Sequence, residues 1–408
     1  MSMPELLAPA GNLEKLKFAV AYGADAVYLG GQRFGLRAGA GNFTLDELGE
    51  AVCYAQSRQV LVYVTVNIIP HNRDLEGFQG YVRALADLGV DGLIVTDPGI
   101  MTLVQDVIPD FPLHLSTQAS NTNWAAARFW HRQGIERIIL ARELSLDEVA
   151  EIRRKTPPGL ELEVFVHGSM CISYSGRCLL SNYLAGRDAN LGDCAHPCRW
   201  KYYLVEEKRP GQYLPVGEDE RGTFILNSRD LCMIEHLPAL IEAGVDAFKI
   251  EGRMRSINYV ATVVKTYRQA LDAYAEDPEG WQPRPEWLHE LRKTGNRGFT
   301  TGFFFGRPGP EGQDYEASKS QEAEFIGVVR RYQPEHRLAV VEQRNKFAVG
   351  DRIEIMGPRT STFPLEVRKM YDADGQEILE APHPQQTVLL PVDRPLEEYT
   401  ILRRPRKG

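Results

Sequence analysis

One phrase recurs at four places in this 408-residue chain: a glycine, a small or apolar residue, an acid, and then a run dominated by apolar residues. It reads Gly23-Ala24-Asp25 before Ala26-Val27, Gly89-Val90-Asp91 before Gly92-Leu93, Gly134-Ile135-Glu136 before Arg137-Ile138, and Gly244-Val245-Asp246 before Ala247-Phe248. Glycine closes a helix in the left-handed conformation, which strains any residue with a Cβ. A strand entered directly after it and apolar along its length is buried on both faces, as in a parallel sheet. Repeated junctions of this kind leave two architectures, a (β/α) barrel and an open doubly wound sheet. No GxGxxG opens a helix after the first strand, which counts against the dinucleotide-binding open sheet. The expected fold class is therefore α/β, a TIM-like (β/α) barrel.

Nine candidate strands feed it: Glu5–Ala8, Ala26–Leu29, Val60–Val66, Gly92–Thr96, Leu113–Thr117, Arg137–Leu140, Glu161–Val166, Phe224–Leu226 and Ala247–Ile250. A barrel of eight has room for one fewer, so one strand lies outside it or the closure is irregular. The barrel is expected over residues 1–275, and a helix with a connecting loop over 276–322. From 323 to 408 the helical period vanishes. Phe325–Arg330, Leu338–Glu342, Arg352–Ile355, Glu366–Tyr371, Thr387–Leu390 and Tyr399–Leu402 read as short strands, predicting a small all-β barrel domain.

Catalytic groups of (β/α) barrels sit at the C-terminal ends of the strands. Polar residues at those positions are Tyr28, Asn67, Asp97, Gln118, Arg142, His167, Asn227, Glu251 and Arg253. The bland alternative for each is that it caps the helix that follows.

The N-terminus lacks the basic and apolar regions of a secretory signal, and no apolar stretch approaches the roughly 20 residues of a membrane span. A cytoplasmic protein without membrane contact is expected. In that reducing compartment, clustered cysteines point to metal or redox chemistry before disulfides. Four of the six cysteines fall in one segment, as Cys171-x6-Cys178 and Cys194-x3-Cys198, and Cys232 follows a later strand end. Structural zinc favours paired CxxC spacings. An iron–sulfur cluster accepts looser spacing, because its corners are spread wider than the ligands of one ion. Cluster, zinc and reduced thiols all stand as readings. Cys171, Cys178 and Cys194 lead as ligands, Cys198 and Cys232 compete for a fourth place, and His196 is read as a solvated loop residue. Cys53, between apolar residues of a helix, reads as a small core residue.

At a net charge of −8 the chain is not a DNA-coating protein, though a local basic patch would suffice to hold RNA. From Phe325 onward there are 14 basic against 12 acidic residues. Arg330-Arg331, Arg344-Asn345-Lys346 and Arg403-Arg404-Pro405-Arg406-Lys407 are candidate phosphate contacts there. Phe299, Phe303 and Phe304 either stack an unpaired base or pack the joint between domains.

The run His167-Gly168-Ser169-Met170-Cys171-Ile172-Ser173-Tyr174-Ser175-Gly176-Arg177-Cys178 resembles the signature of the collagenase-like peptidase family U-32. Leu6-Leu7-Ala8-Pro9-Ala10-Gly11, Leu115-Ser116-Thr117-Gln118-Ala119 and Lys249-Ile250-Glu251-Gly252-Arg253 are similar to further blocks of that family. Cys194-x3-Cys198-Arg199-Trp200 and Arg297-Gly298-Phe299-Thr300-Thr301-Gly302-Phe303 resemble its tRNA-hydroxylating branch. That resemblance implies oxygen-independent formation of 5-hydroxyuridine at the tRNA wobble position, with prephenate required. It also implies a four-iron four-sulfur cluster on Cys171, Cys178, Cys194 and either Cys198 or Cys232. Relatives acting on ribosomal RNA or on quinone precursors keep those substrates open as alternatives.

Under this reading a small dicarboxylate co-substrate would meet Arg142, Arg177, Arg187 and Arg253, since guanidinium binds carboxylate through a planar fork. Gln118 and Asn227 would meet the uracil edge, and His167 or Glu251 would move protons. Peptidase chemistry finds no HExxH, GxSxG or paired Asp-Thr-Gly loop. A nucleophile drawn from Cys171 and His167 has nothing visible to orient the histidine. The oligomeric state is not legible.

Overall fold

A computed structural model describes residues 3–35, 42–171, 173–175, 178–189, 193–200, 203–205, 213–215, 228–308 and 320–406. Seven strands alternate with helices: β1 (Glu5–Pro9), β2 (Ala26–Gly30), β3 (Leu61–Val66), β4 (Gly92–Val95), β5 (Leu113–Leu115), β6 (Arg137–Ile139) and β7 (Glu161–Gly168). Next come β8 (Asp230–Cys232), β9 (Ala247–Ile250) and β10 (Phe299–Thr300). Strands β1 to β7 pair in sequence order, all parallel, and β9 bonds in parallel to both β1 and β7. Eight strands thus close into a barrel. The short β8 pairs antiparallel with the end of β7, and β10 adds to β8, so both lie outside the closed ring. The expected strand Phe224–Leu226 lies outside the described residues.

The repeated Gly-x-acid phrase does two jobs at the base of the barrel. All four glycines have positive φ, from 76° to 101°. Three of the acids then reach sideways. Asp25 accepts from the Leu6 amide at 2.8 Å, Asp91 from Val62 at 2.8 Å and Asp246 from Leu162 at 2.7 Å. Each carboxylate takes an amide of the adjoining strand, a charge-assisted bond that fixes register where the sheet begins.

Above the strands the chain turns into helices through capping residues that the sequence supplies. Asn12, Asp97, Asn123 and Ser256 each accept from a first-turn amide, and Thr44 and Ser145 form capping boxes with Glu47 and Glu148. On α1 (Leu45–Gln56), Leu48, Ala51, Val52 and Ala55 make the buried stripe. Cys53 falls between them on the outer face and is exposed, so the expectation of a core residue is corrected.

The C-terminal part is all-β. It comprises β11 (Ala323–Gln333), β12 (Leu338–Gln343), β13 (Phe347–Ala348), β14 (Arg352–Met356), β15 (Phe363–Glu366), β16 (Glu380–Ala381), β17 (Thr387–Pro391) and β18 (Ile401–Pro405). Six of these form an antiparallel sheet in the order β15-β14-β18-β11-β12-β17, while β13 pairs with β16. The strand expected over Glu366–Tyr371 stands earlier, as β15. Val367 and Met370, just past its end, instead drop into this domain's own core.

The domain docks on the outside of the barrel. The Tyr22 hydroxyl lies 2.8 Å from the Met356 carbonyl and 2.9 Å from that of Tyr399. Lys265 Nζ donates to the carbonyls of Gly357 and Thr360, both at 2.6 Å. Among the described residues no helix is long and apolar enough to cross a membrane.

Candidate active site

A cavity of about 330 Å³ opens at the C-terminal mouth of the barrel. Tyr28, Thr65, Ile94, Ser116, Ile139, Phe165 and Lys249 line it from seven of the eight barrel strands or the residues just beyond them. The loop that follows β7 supplies the outer wall. Cys171, Cys178, Cys194 and Cys198 all line this one cavity, together with His196.

Cys232 does not join them. It is buried in β8, paired across from His167, and lines a different cavity with Arg229 and Phe299. Burial pushes its thiol up to about 12. The competition between Cys198 and Cys232 is therefore uneven in space: four thiols line the mouth, and the fifth lines another cavity.

Loop geometry explains why the cysteines gather here. Gly168 ends β7 at φ 115°, and a Cβ there would sit 2.7 Å from the Glu251 carbonyl oxygen. Only glycine lets the chain turn out of the strand while β9 stays alongside. Arg142, just beyond β6, then fastens the loop. Its Nη1 donates to the Ser169 carbonyl at 2.7 Å, and its Nη2 lies 2.6 Å from Ser175 Oγ and 3.5 Å from Cys171 Sγ. The guanidinium also lies 4.9 Å from the centre of the Phe165 ring. On the other side, the His196 amide donates to Cys194 Sγ at 3.3 Å.

Thiols with N–H donors aimed at sulfur are the environment in which cluster ligands are found. The four thiols share the cavity without meeting at a point. Among the described residues no three Cys, His, Asp or Glu side chains stand where a single metal ion could bind them together. Four thiols on one cavity are a donor set that a multi-iron centre, whose ligands attach at separate corners, accepts.

Of the polar strand-end residues, Tyr28, Asn67, Gln118, Arg142, Glu251 and Arg253 line the cavity. Asp97 instead caps the helix Pro98–Val107. Asn227 and Arg177 lie outside the described residues. Arg187 forms a half-exposed ion pair with Asp193 at 2.6 Å, away from the cavity lining. His167 is buried behind the wall, 1% exposed, among the rings of Tyr259, Tyr267 and Phe299. Burial, then the nearby Arg255, hold its pKa down to about 3, so it is neutral and sheltered.

Arg253 is 3% exposed; it donates to Thr65 Oγ1 at 3.2 Å and to Asn42 Oδ1 at 2.7 Å. A Cβ on Gly30 would lie 2.3 Å from its Nη2, so that glycine makes room for the guanidinium. The Tyr28 hydroxyl is 3.0 Å from the Ile250 carbonyl and 3.3 Å from Glu251 Oε2.

Residues absent from the expected set complete the floor. Lys249 lines the cavity with its Nζ 4.4 Å from the centre of the Tyr28 ring, and donates to Glu163 Oε1 at 2.7 Å. Below it, Arg137 Nη1 reaches Glu163 at 3.5 Å and Glu5 at 2.6 Å, and the Tyr63 hydroxyl reaches Glu5 at 2.9 Å. Burial lowers the proton affinity of Lys249, and Glu163 opposes that shift. The signal was in the sequence: Glu163 interrupts Leu162-Glu163-Val164-Phe165, and Lys249 interrupts Ala247-Phe248-Lys249-Ile250. A charge inside a doubly buried strand marks an interior position. Arg255 and Arg297 also line the cavity, and both reach the buried Asp230, at 3.0 and 3.3 Å.

The expected phosphate contacts are largely committed elsewhere. Arg330 and Arg344 both pair with Glu14 and Glu342. Lys346 pairs with Glu380, and Arg404 with Glu324 and Asp351. Arg403 is fully buried between Glu290 and Glu354. Arg331 and Arg406 are exposed, and Lys407 lies outside the described residues. Phe304 is buried in a core cluster that joins barrel residues to Val328, Met356 and Ile401 of the β domain, and Phe299 packs partly buried against it, so neither stands free in solvent.

Fold and site together define a (β/α) barrel with a thiol-lined mouth and an appended antiparallel β domain. A model of peptidase family U32 matches residues 11–314, and that of the family's C-terminal domain matches residues 321–403. The chain belongs to peptidase family U32. Over 98% of its length, and 94% of the relative's, it is 45% identical to tRNA hydroxylation protein P1 of Bacillus subtilis. It is 39% identical to tRNA hydroxylation protein P of Escherichia coli, across 100% of this chain and 98% of that one. It is also 38% identical to the 23S rRNA 5-hydroxycytidine C2501 synthase of Escherichia coli, covering 79% of this chain and 48% of the synthase.

Proposed function

We propose that this chain hydroxylates RNA, with tRNA as substrate and the wobble uridine carbon 5 as the target. The observation that carries the reading is the convergence of Cys171, Cys178, Cys194 and Cys198 on one cavity at the catalytic end of the barrel. Similarity along the whole chain to proteins named for tRNA hydroxylation supports the choice of substrate.

In this reading those four thiols hold a four-iron four-sulfur cluster, which when bound supplies electron transfer at the cavity wall. Every other role falls to this chain's side chains. Gln118, whose Oε1 lies 3.4 Å from Thr96 Oγ1, meets the edge of the flipped pyrimidine. Lys249 and Arg253, at the floor, attract a small anionic co-substrate of the prephenate type. Glu251, beside the Tyr28 hydroxyl, holds or accepts the proton that leaves the ring carbon. The walls exclude water once the base fills the space.

A strain lacking this protein is the test, with its tRNA digested and analysed by nucleoside mass spectrometry. The expected result is loss of 5-hydroxyuridine-derived nucleosides, restored by the wild-type chain and not by a Cys171→Ser variant. Unchanged nucleosides in the deletion strain would overturn the assignment. A loss confined to 5-hydroxycytidine of ribosomal RNA would move the substrate to that second reading, which the synthase similarity favours.

A further inference from the structure

We propose that Arg142 is the positioning residue that holds Cys171 at the cavity and sets the reduction potential of the centre bound there; this rests on the cluster reading above. The arginine sits just past the end of β6, whereas its partners lie on the loop after β7. One guanidinium reaches three residues of that loop: the Ser169 carbonyl at 2.7 Å, Ser175 Oγ at 2.6 Å and Cys171 Sγ at 3.5 Å. Ser169 and Ser175 flank Cys171, so the fork grips the chain on both sides of the ligand.

Three features fit arginine to this place. Its charge persists at every pH a protein meets, so a thiolate beside it always faces a cation. The planar fork holds its donors in one fixed plane and reaches acceptors on both sides of Cys171, whereas the donors of a lysine ammonium rotate about a single nitrogen. Phe165 packs against the guanidinium at 4.9 Å and fixes its plane. An N–H donor and a positive charge at a ligand sulfur stabilise the more negative, reduced form of a cluster. They therefore raise its potential.

The experiment uses the full chain, purified and reconstituted without oxygen, as wild type, Arg142→Gln and Arg142→Lys. Iron and sulfide content are measured first, followed by the midpoint potential from a redox titration read by electron paramagnetic resonance. The expected result is iron loading at the wild-type level in both variants, with potentials shifted to more negative values. Glutamine, which lacks the charge, should shift further than lysine. Loss of iron from Arg142→Gln at an unchanged melting temperature supports the same assignment, since Cys171 has then left its place. Wild-type iron content with an unshifted potential in either variant overturns it. A wild-type chain that takes up no iron fails at the first measurement and sinks the cluster reading itself.

Discussion

The Lys249 ammonium lies 2.7 Å from the Glu163 carboxylate inside the barrel, with side chains 5% and 0% exposed. Glu163 is shared, because Arg137 approaches its other oxygen at 3.5 Å. A buried ion pair is weak evidence for stability, yet removing one partner leaves an uncompensated charge and costs about 3 to 5 kcal/mol. Glu163→Gln is therefore expected to lower unfolding free energy by that amount, with Lys249→Met costing less because Arg137 still neutralises Glu163. Urea denaturation of the two variants checks the order. Equal and small losses would mean that water reaches this pair.

Substituting the competing cysteines one at a time separates the two cavities. Cys198→Ser should lose most of its iron after anaerobic reconstitution, since Cys198 lines the mouth with the other three thiols. Cys232→Ser should keep wild-type iron, because its thiol is buried on another cavity. The reverse pattern of iron retention would place the fourth ligand on β8.

His167 makes a signed prediction about pH. Its folded pKa, about 3, lies below the unfolded value of about 6.5, so the unfolded chain binds the extra proton. Stability is therefore full above pH 6.5 and falls as the pH drops toward 3, by about 1.4 kcal/mol per pH unit. His167→Gln should remove about 2 kcal/mol of the loss between pH 6.5 and 5. His114, also buried and held below its ordinary pKa, keeps part of the slope in the variant. Denaturation curves at several pH values decide it, and parallel pH dependence in variant and wild type would show that His167 is reached by solvent.

Arg403 looked like a phosphate contact and is a core residue, fully buried with Nη2 at 2.8 Å from Glu290 and 3.1 Å from Glu354. Arg403→Met should cost about 3 kcal/mol, by leaving carboxylates short of a partner, and lower the melting temperature. Filter binding of tRNA at several salt concentrations should give an unchanged slope for the folded variant. A slope shallower by about one unit would instead put Arg403 on the nucleic acid.

The barrel could be read from the chain because its signals are local. The four Gly-x-acid junctions, the doubly apolar strands and the capping residues Asn12, Thr44, Ser145 and Ser256 each act within a few neighbours. So is the clustering of Cys171, Cys178, Cys194 and Cys198, which needs only a loop at a strand end. Spacing says nothing about which cavity a thiol lines, and the pairing of β8 with β7 sets Cys232 across from His167, on a cavity other than the mouth. Partners remote in sequence settled the rest. Arg142 is taken by a loop 27 or more residues later, Arg330 and Arg344 by Glu14, and Lys249 by Glu163. A charge is legible in sequence, but its partner is not, because electrostatic pairing depends on distance through space.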